Sequence, residues 1–240
     1  MSSGDFLRGG MMRAGLWVIA AAVTVTVLAG CSGTGDERAH TVDDSGAVST
    51  VGHVPLRTLT AEQARSALLV AADLPTGWIA EPDTGAPKKD SSGDYDQCPA
   101  YDAVMQRVSR ADDVSAEFTA PDGSDVSEAL LPLAETDAQG MLADFSEAVT
   151  ACKKLTTQMD SGVAFDMYFT ALSFPQLADE TFAFRTTATV FGRTVNLDMA
   201  VVRRGGVLVF IVQQAGEAID TALTEEVARR AVTKVDAALN

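Results

Sequence analysis

Histidine is nearly absent from this chain, and its absence excludes whole classes of catalyst. Only two histidines occur among the 240 residues. His40 and His53 both lie in a segment rich in glycine, serine, threonine and aspartate, where we expect solvated side chains. Catalysis by a Ser-His-Asp or Cys-His arrangement needs a base held in a folded site, and no glycine-rich phosphate loop is present either. We therefore expect no enzymatic activity, no metal site and no cofactor.

Positive charge is also scarce. The chain has 18 Lys and Arg residues against 33 Asp and Glu residues, which gives a net charge of -15. The longest basic runs are four pairs: Lys88-Lys89, Lys153-Lys154, Arg203-Arg204 and Arg229-Arg230. A protein that binds nucleic acid needs a basic stripe to contact the phosphates. Nucleic acid is therefore not an expected partner.

Long hydrophobic runs are missing apart from one, which covers residues 16–28. A membrane-spanning helix needs about 20 apolar residues, so this run is too short to span. Arg8 and Arg13 precede it, and the residues Leu28-Ala29-Gly30-Cys31 end it. A basic start, an apolar core and small residues before the cut are typical of a secretory signal.

The first 31 residues resemble bacterial lipoprotein precursors. The resemblance implies cleavage of a signal peptide, residues 1–30, and acylation of the Cys31 sulfur, as in a palmitate-bearing lipoprotein. The protein would then be anchored by lipid on the extracytoplasmic face of the cell membrane. Cleavage removes Asp5, Arg8 and Arg13 and moves the formal charge from -15 to -16. An ordinary cleaved signal followed by a stray cysteine is the alternative.

The chain has only three cysteines. In an exported lipoprotein, one of them would carry the lipid and the other two would form a disulfide bond. We predict a disulfide bond between Cys98 and Cys152. Two reduced, buried cysteines are the alternative. A metal site is not expected, because neither cysteine has a second cysteine or a histidine at ligand spacing.

Composition divides the remaining chain into a tether and one domain. Residues 31–57 are rich in small and polar side chains without helical or strand periodicity, and we predict a flexible tether there. Residues 58–240 are long enough for one domain with its own core. Thr60 and Gln63 form a capping-box pattern, and so do Thr136 and Gln139. Two predicted helices begin at these patterns, and two more cover residues 99–110 and 223–239. The predicted strands cover residues 114–120, 126–133, 163–174, 181–191, 194–204 and 207–214.

Two glycine turns set the expected strand register. Gly192-Arg193 and Gly205-Gly206 are each typical of a two-residue hairpin turn, of type II′ and type I′ respectively. This register places Thr187 opposite Asp198, and Asp198 opposite Gln213. The resulting polar face is a candidate ligand-binding surface made of Tyr168, Arg185, Thr187, Asn196, Asp198 and Gln213. The alternative is a solvated sheet face with a diagonal ion pair between Arg185 and Asp198.

The opposite face of these strands collects apolar side chains such as Phe169, Phe184, Val201 and Phe210, and the helices are expected to cover it. We therefore predict an α+β fold, an antiparallel sheet with helices packed mainly on one face. Carboxylates for glycoside cleavage could be drawn from Asp166, Asp179, Glu180 and Asp198, but acidic residues are too frequent to identify a pair. Asp179-Glu180 is expected in a loop as a solvated turn or a clasp to an arginine. Asp122, Ser124 and Asp125 lack the ligand pattern of a calcium loop.

A wider resemblance rests on Ala72-Asp73-Leu74-Pro75 with Gly77-Trp78, the two cysteines, Asp179-Glu180, Arg185 and the hairpin from Val201 to Gly206. With these motifs, residues 58–240 resemble actinobacterial sensor-domain lipoproteins and the extracytoplasmic sensor domain of mycobacterial serine/threonine protein kinase H. The resemblance implies an antiparallel sheet, helices on one side and a groove for a ligand. The chain differs from that kinase in having no kinase domain, a lipid anchor in place of a membrane helix, and one intradomain disulfide instead of two.

Two functions follow from these observations. The first is a membrane-anchored, non-catalytic module that binds or senses a small ligand or an envelope protein. The second is a carrier or chaperone for lipid or glycolipid at the cell envelope. The carrier would use apolar positions on the candidate face, namely Phe191, Ala200, Val202, Val207, Val209 and Ile211.

Overall fold

The computed structural model describes residues 58–82, 95, 97–158, 162–216 and 218–240. The predicted signal peptide, the lipidation site Cys31 and the predicted tether lie outside the described residues. The domain is built on one eight-stranded antiparallel sheet with strand order β1-β2-β3-β8-β7-β6-β5-β4. The strands are β1 (Ile79–Ala80), β2 (Val114–Thr119), β3 (Asp125–Pro132), β4 (Lys154–Gln158), β5 (Ala164–Ala171), β6 (Glu180–Val190), β7 (Arg193–Arg204) and β8 (Val207–Ala215). The helices are α1 (Ala61–Ala67), α2 (Pro99–Arg110), α3 (Glu135–Ala151) and α4 (Thr221–Leu239).

The first capping box is confirmed, and the second is wrong. Thr60 caps α1 by accepting from the Gln63 amide while the Gln63 side chain accepts from the Thr60 amide. Helix α3 instead begins after Ala134, which has no capping side chain. The chain is fixed just before this point, because the Leu133 amide donates to the Gly206 carbonyl at 2.7 Å. Thr136 therefore lies inside the first turn of the helix, where it cannot act as a cap.

Strand β4 was not predicted. Helix α3 ends at Ala151, and Leu155 is a buried residue of β4. Cys152 forms the C-cap of α3, and it is joined to Cys98 at the N-cap of α2, with 6.1 Å between their Cα atoms. The predicted disulfide is confirmed, and it ties α2 and α3 together at one end.

The α+β class and the antiparallel sheet are confirmed, and the helices lie on both faces of the sheet. One core packs α2 and α3 against the face that carries Phe169, Phe184 and Val201. The other core packs α1 and α4 against the face that carries Ala200 and Val202. Strands β7 and β8 have apolar side chains on both faces, so each face needs a cover. Helix α4, expected on the first face, lies on the second.

The turn between β6 and β7 differs from the prediction by one residue. Val190 pairs with Arg193, so the turn residues are Phe191 and Gly192, with φ angles of 51° and 73°. Two positive φ values are typical of a type I′ turn, which matches the twist of the strands. The turn at Gly205-Gly206 is in the predicted place, but the predicted type I′ is wrong. Only Gly205 has a positive φ, of 57°, which is typical of type II′.

The corrected register changes which residues face each other. Arg185 lies directly opposite Asp198, and Thr187 lies opposite Asn196 rather than Asp198. The predicted pairing of Asp198 with Gln213 is confirmed. Within the part of the chain that the structure describes, no helix combines the length and the hydropathy that crossing a membrane requires.

Candidate functional site

The six residues predicted as a polar cluster share one face of the sheet, the face that α1 and α4 cover. Arg185 and Asp198 form its centre. The Arg185 Nε donates to Asp198 Oδ1 at 2.6 Å and Nη2 donates to Oδ2 at 2.8 Å. This bidentate bond holds the pKa of Arg185 above its usual value. The Asp198 side chain is fully buried, whereas 28% of the Arg185 side chain is exposed.

The first turn of α4 closes over this ion pair. Thr221 Oγ1 donates to Asp198 Oδ2 and accepts from Arg185 Nη2, both at 2.8 Å. Asn196 connects to the same segment, because its Nδ2 donates to the Gly216 carbonyl at 3.1 Å while its Oδ1 accepts from Thr187. These four sheet residues therefore hold the start of α4 against the sheet.

Gln213 occupies a different position in the cluster. Only 3% of this residue is exposed, and its Oε1 accepts a hydrogen bond from Thr224 Oγ1 at 2.6 Å. The Nε2 of Gln213 donates no hydrogen bond to any residue that the structure describes. The side-chain oxygen of Gln213 is thus bonded to Thr224, and its side-chain nitrogen is available to donate a hydrogen bond to a ligand.

Tyr168 lies at the edge of the cluster, where it pairs with Thr187 across β5 and β6. It is 49% exposed, and Lys154 lies 5.6 Å from the centre of its ring. Lys154 also pairs with Asp166 at 2.8 Å, and Thr156 donates to the same carboxylate at 2.7 Å. These side chains form an open polar surface on β4 and β5. The role of all six predicted residues in binding stays a prediction.

A cleft lies beside Gln213, between the start of α4 and the turn that joins β2 to β3. Its volume is about 390 Å³. We call it the α4 cleft; it is lined by Trp78, Ala120, Pro121, Asp122, Ser124, Gln213, Ala215, Ala218, Asp220 and Leu223. Of the six predicted residues, only Gln213 contributes to its lining.

The α4 cleft has an apolar wall and a polar rim, and no basic side chain occurs among the described residues that line it. Trp78, Pro121 and Leu223 supply apolar surface, while Asp122 and Asp220 supply carboxylates. Asp122 Oδ1 accepts from the Ser124 amide at 2.9 Å, and this backbone bond lowers the pKa of Asp122. Asp220 caps α4 by accepting from the Ala222 amide at 3.0 Å. Both carboxylates have structural partners and still line the cleft.

Besides Gln213, the sequence analysis singled out three residues of the cleft but did not place them together. Trp78 was part of a family motif, and Asp122 and Ser124 were considered as calcium ligands. In the structure, Asp122 turns back onto the Ser124 amide. Across the described ranges, no group of three or more Asp, Glu, His or Cys residues is arranged to hold a metal ion.

Of the two roles considered for Asp179 and Glu180, a solvated turn or ion pairs with an arginine, the structure shows the ion pairs, and Glu180 is the first residue of β6 rather than a loop residue. Arg203 Nη1 lies 3.5 Å from Asp179 and its Nη2 donates to Glu180 at 3.1 Å. Arg204 Nη1 donates to Asp179 at 3.2 Å, and the Gly205 amide donates to the same carboxylate at 2.6 Å. Both acidic residues therefore anchor the end of the β7–β8 hairpin.

The apolar positions considered for a lipid carrier do not form a cavity wall. Five of them, Ala200, Val202, Val207, Val209 and Ile211, are fully buried in the core under α1 and α4. The sixth, Phe191, is 69% exposed at the tip of the β6–β7 hairpin. Side chains of the two helices fill the space that a lipid would need there.

No protein-family model and no curated protein matches the chain. Among solved structures, the chain is similar to the extracellular domain of PknH from Mycobacterium tuberculosis, with a TM-score of 0.54 and 14% identity over 76% of this chain and 99% of that one. An uncharacterized protein from Mycobacterium smegmatis matches with a TM-score of 0.38 and 13% identity over 68% of this chain and 92% of that one. The expected resemblance to the sensor domain of kinase H is thus confirmed at the level of the fold.

Proposed function

We propose that the chain is a lipid-anchored, extracytoplasmic, non-catalytic module that binds a small ligand in the α4 cleft. The observation that carries this proposal is Gln213, which lines a cleft of about 390 Å³ and whose Nε2 donates no hydrogen bond to a described residue. Concave sites with apolar walls and a few converging polar groups are where small molecules bind.

The polar cluster has a positioning role in this proposal. Arg185, Asp198 and Asn196 bond to Gly216 and Thr221, and the cleft-lining residues Asp220 and Leu223 lie within two residues of Thr221 in the chain. A bound ligand would contact Gln213 and these two wall residues. Binding could then be sensed through the start of α4, which is held to the sheet by side-chain bonds.

Extracytoplasmic location and lipid anchoring belong to the same proposal. They are supported by the signal-like leader that ends at Cys31 and by the fold shared with an extracellular domain. The Cys98–Cys152 disulfide agrees with an oxidising compartment. The membrane is reached through the lipid, and the partner is a small ligand or an envelope protein.

The cleft can be tested by the emission of Trp78. The chain has two tryptophans, and Trp17 lies in the predicted signal peptide, so residues 32–240 contain Trp78 alone. The probe is the low-molecular-weight fraction of the cell envelope. Ala218→Phe places a bulky side chain at an exposed position of the cleft lining, and Ala143→Phe makes the same change on an exposed position of α3.

We expect a saturable change in Trp78 emission for the unmodified domain and for Ala143→Phe, and none for Ala218→Phe. No change in any of the three proteins, or the same change in all of them, would contradict binding in the α4 cleft. Copurified lipid that native mass spectrometry finds on all three proteins would favour the lipid or glycolipid carrier instead.

A further inference from the structure

We infer that the α4 cleft takes an uncharged, polyhydroxylated ligand, the hydroxyl-bearing face of a sugar. This inference rests on the proposed function and names the chemical class of its ligand. It depends on three properties of the described lining: the donor that Gln213 presents, the sign of the charge, and the wall around Trp78.

The Gln213 amide requires a hydrogen-bond acceptor on the ligand. Thr224 Oγ1 occupies its oxygen at 2.6 Å, so Nε2 is the polar atom left for a ligand. Because the residue is only 3% exposed and lines the cleft, the cleft is where this donor meets a ligand or water. A hydroxyl or ether oxygen satisfies it, whereas an ammonium group offers only further donors.

The charge of the lining disfavours anions. Asp122 and Asp220 face the cleft, and its lining includes no Lys or Arg. The Ser124 amide lowers the pKa of Asp122, so this carboxylate stays ionised near neutral pH. A phosphate or carboxylate ligand would meet two negative charges without a counter-ion. A hydroxyl group, in contrast, can both donate a hydrogen bond to a carboxylate and accept one from the Gln213 amide.

The wall around Trp78 gives the ligand an apolar side. Its indole ring offers a flat surface, and Pro121 and Leu223 extend the apolar part of the lining. A sugar ring has this amphipathic character, with C–H groups on one face and hydroxyls at its edge. The volume of about 390 Å³ lies near the lower end of the range for small-molecule sites, roughly 300–1,000 Å³. The α4 cleft thus fits a ligand of one or two rings.

The test uses residues 32–240 and three probes: methyl glycosides of neutral sugars, tetramethylammonium chloride and sodium phosphate. Emission of Trp78 is titrated for the unmodified protein, for Gln213→Glu and for Gln214→Glu. The first variant keeps an acceptor for Thr224 and replaces the donor Nε2 by an oxygen. The second makes the same charge change at the next residue, which lies on the opposite face of β8.

We expect at least one methyl glycoside to bind saturably to the unmodified protein and to Gln214→Glu. Affinity should fall about tenfold in Gln213→Glu, as for the loss of one hydrogen bond. Ala218→Phe, which leaves Gln213 unchanged and fills the cleft, should abolish glycoside binding and serves if Gln213→Glu is poorly folded by circular dichroism.

Other outcomes overturn the ligand class. Tetramethylammonium binding that tightens in Gln213→Glu would identify an organic cation as the ligand, and phosphate binding would contradict the charge argument. If no glycoside binds while the envelope fraction still changes Trp78 emission, the sugar is wrong and the cleft stands. If the envelope fraction also has no effect, the proposed function itself fails.

Discussion

At the scale of single residues, the ion pair between Arg185 and Asp198 differs in kind from ion pairs on an open surface. Asp198 is fully buried, and among the residues that the structure describes, Arg185 and Thr221 bond to its carboxylate through their side chains. Arg185→Met would leave that carboxylate buried without its cation. We expect a loss of roughly 3–5 kcal/mol in the free energy of unfolding, measured by urea denaturation.

A double variant distinguishes the effect of removing the whole ion pair from the effect of leaving one buried charge without its partner. Arg185→Met with Asp198→Leu removes both charges, and we expect it to recover most of the stability lost in Arg185→Met alone. The exposed pair between Lys154 and Asp166 is the matched control, and its removal should change stability little. If the double variant lost as much free energy of unfolding as the two single variants together, the two buried charges would not be energetically coupled.

Glu128 carries a pH dependence that can be measured. It lies in β3 with 1% of its surface exposed, and its Oε2 accepts from the Leu69 amide at 2.6 Å. Burial raises the pKa of Glu128 from 4.5 to about 7, against the opposing effects of the Leu69 amide and the charge of Lys234. The folded protein thus binds this proton more tightly than the unfolded chain does, and the free energy of unfolding falls as pH rises through this range.

Glu128→Gln keeps an acceptor for the Leu69 amide and removes the buried charge. We expect it to stabilise the domain by up to about 3 kcal/mol near pH 8 and by much less near pH 5. Urea denaturation at both pH values provides the measurement. An equal effect at the two pH values would mean that Glu128 does not titrate between them.

At the scale of elements, the disulfide joins the N-cap of α2 to the C-cap of α3. Cys98 and Cys152 are separated by 54 residues in sequence, for which the chain-entropy model gives about 4 kcal/mol of stabilisation. We expect Cys98→Ala with Cys152→Ala to lower the urea midpoint accordingly. The unmodified residues 32–240 should show no reactive thiol after unfolding without reductant, and a titratable thiol would contradict the bond.

The elements show how far the sequence predicts this fold. Helix α2 and the strand pairings have strong local signals, and Asp198 was placed opposite Gln213 because Gly205 marks its turn. The β6–β7 register was missed because Phe191 adopts a positive φ, which is uncommon for a residue other than glycine. The cover on both faces was missed although residues 207–211 form an unbroken apolar run, the pattern of a strand buried on both sides.

The candidate site was predicted in part. Alternation along β6, β7 and β8 was sufficient to bring Arg185, Asp198 and Gln213 to one face. This alternation could not indicate that α4 would cover Arg185 and Asp198, because the position of a helix on a sheet depends on contacts between residues that are distant in sequence. The α4 cleft joins Trp78 to residues 120–124 and 213–223, and no local pattern predicts that meeting.

At the scale of the whole molecule, the anchor is the prediction with the clearest consequence. The mature chain has a formal charge of -16 once Asp5, Arg8 and Arg13 are removed from the total of -15. Such a protein is repelled by anionic lipid surfaces, so its membrane binding would depend on the acyl chains at Cys31. Cys31→Ser should move the protein to the soluble fraction in membrane flotation, with an unchanged circular dichroism spectrum. Persistent flotation with membranes would contradict lipid anchoring.

The clasp at the end of the β7–β8 hairpin has a consequence for folding. Arg203 and Arg204 are neighbours in sequence, so their side chains point to opposite faces of the sheet. Arg203 lies 3.9 Å from Glu135 at the start of α3, and Arg204 donates to Asp236 near the end of α4 at 2.5 Å. Both also contact Asp179. One carboxylate is therefore shared between the two helical layers, and we expect the opening of either layer to weaken the bonds of the other.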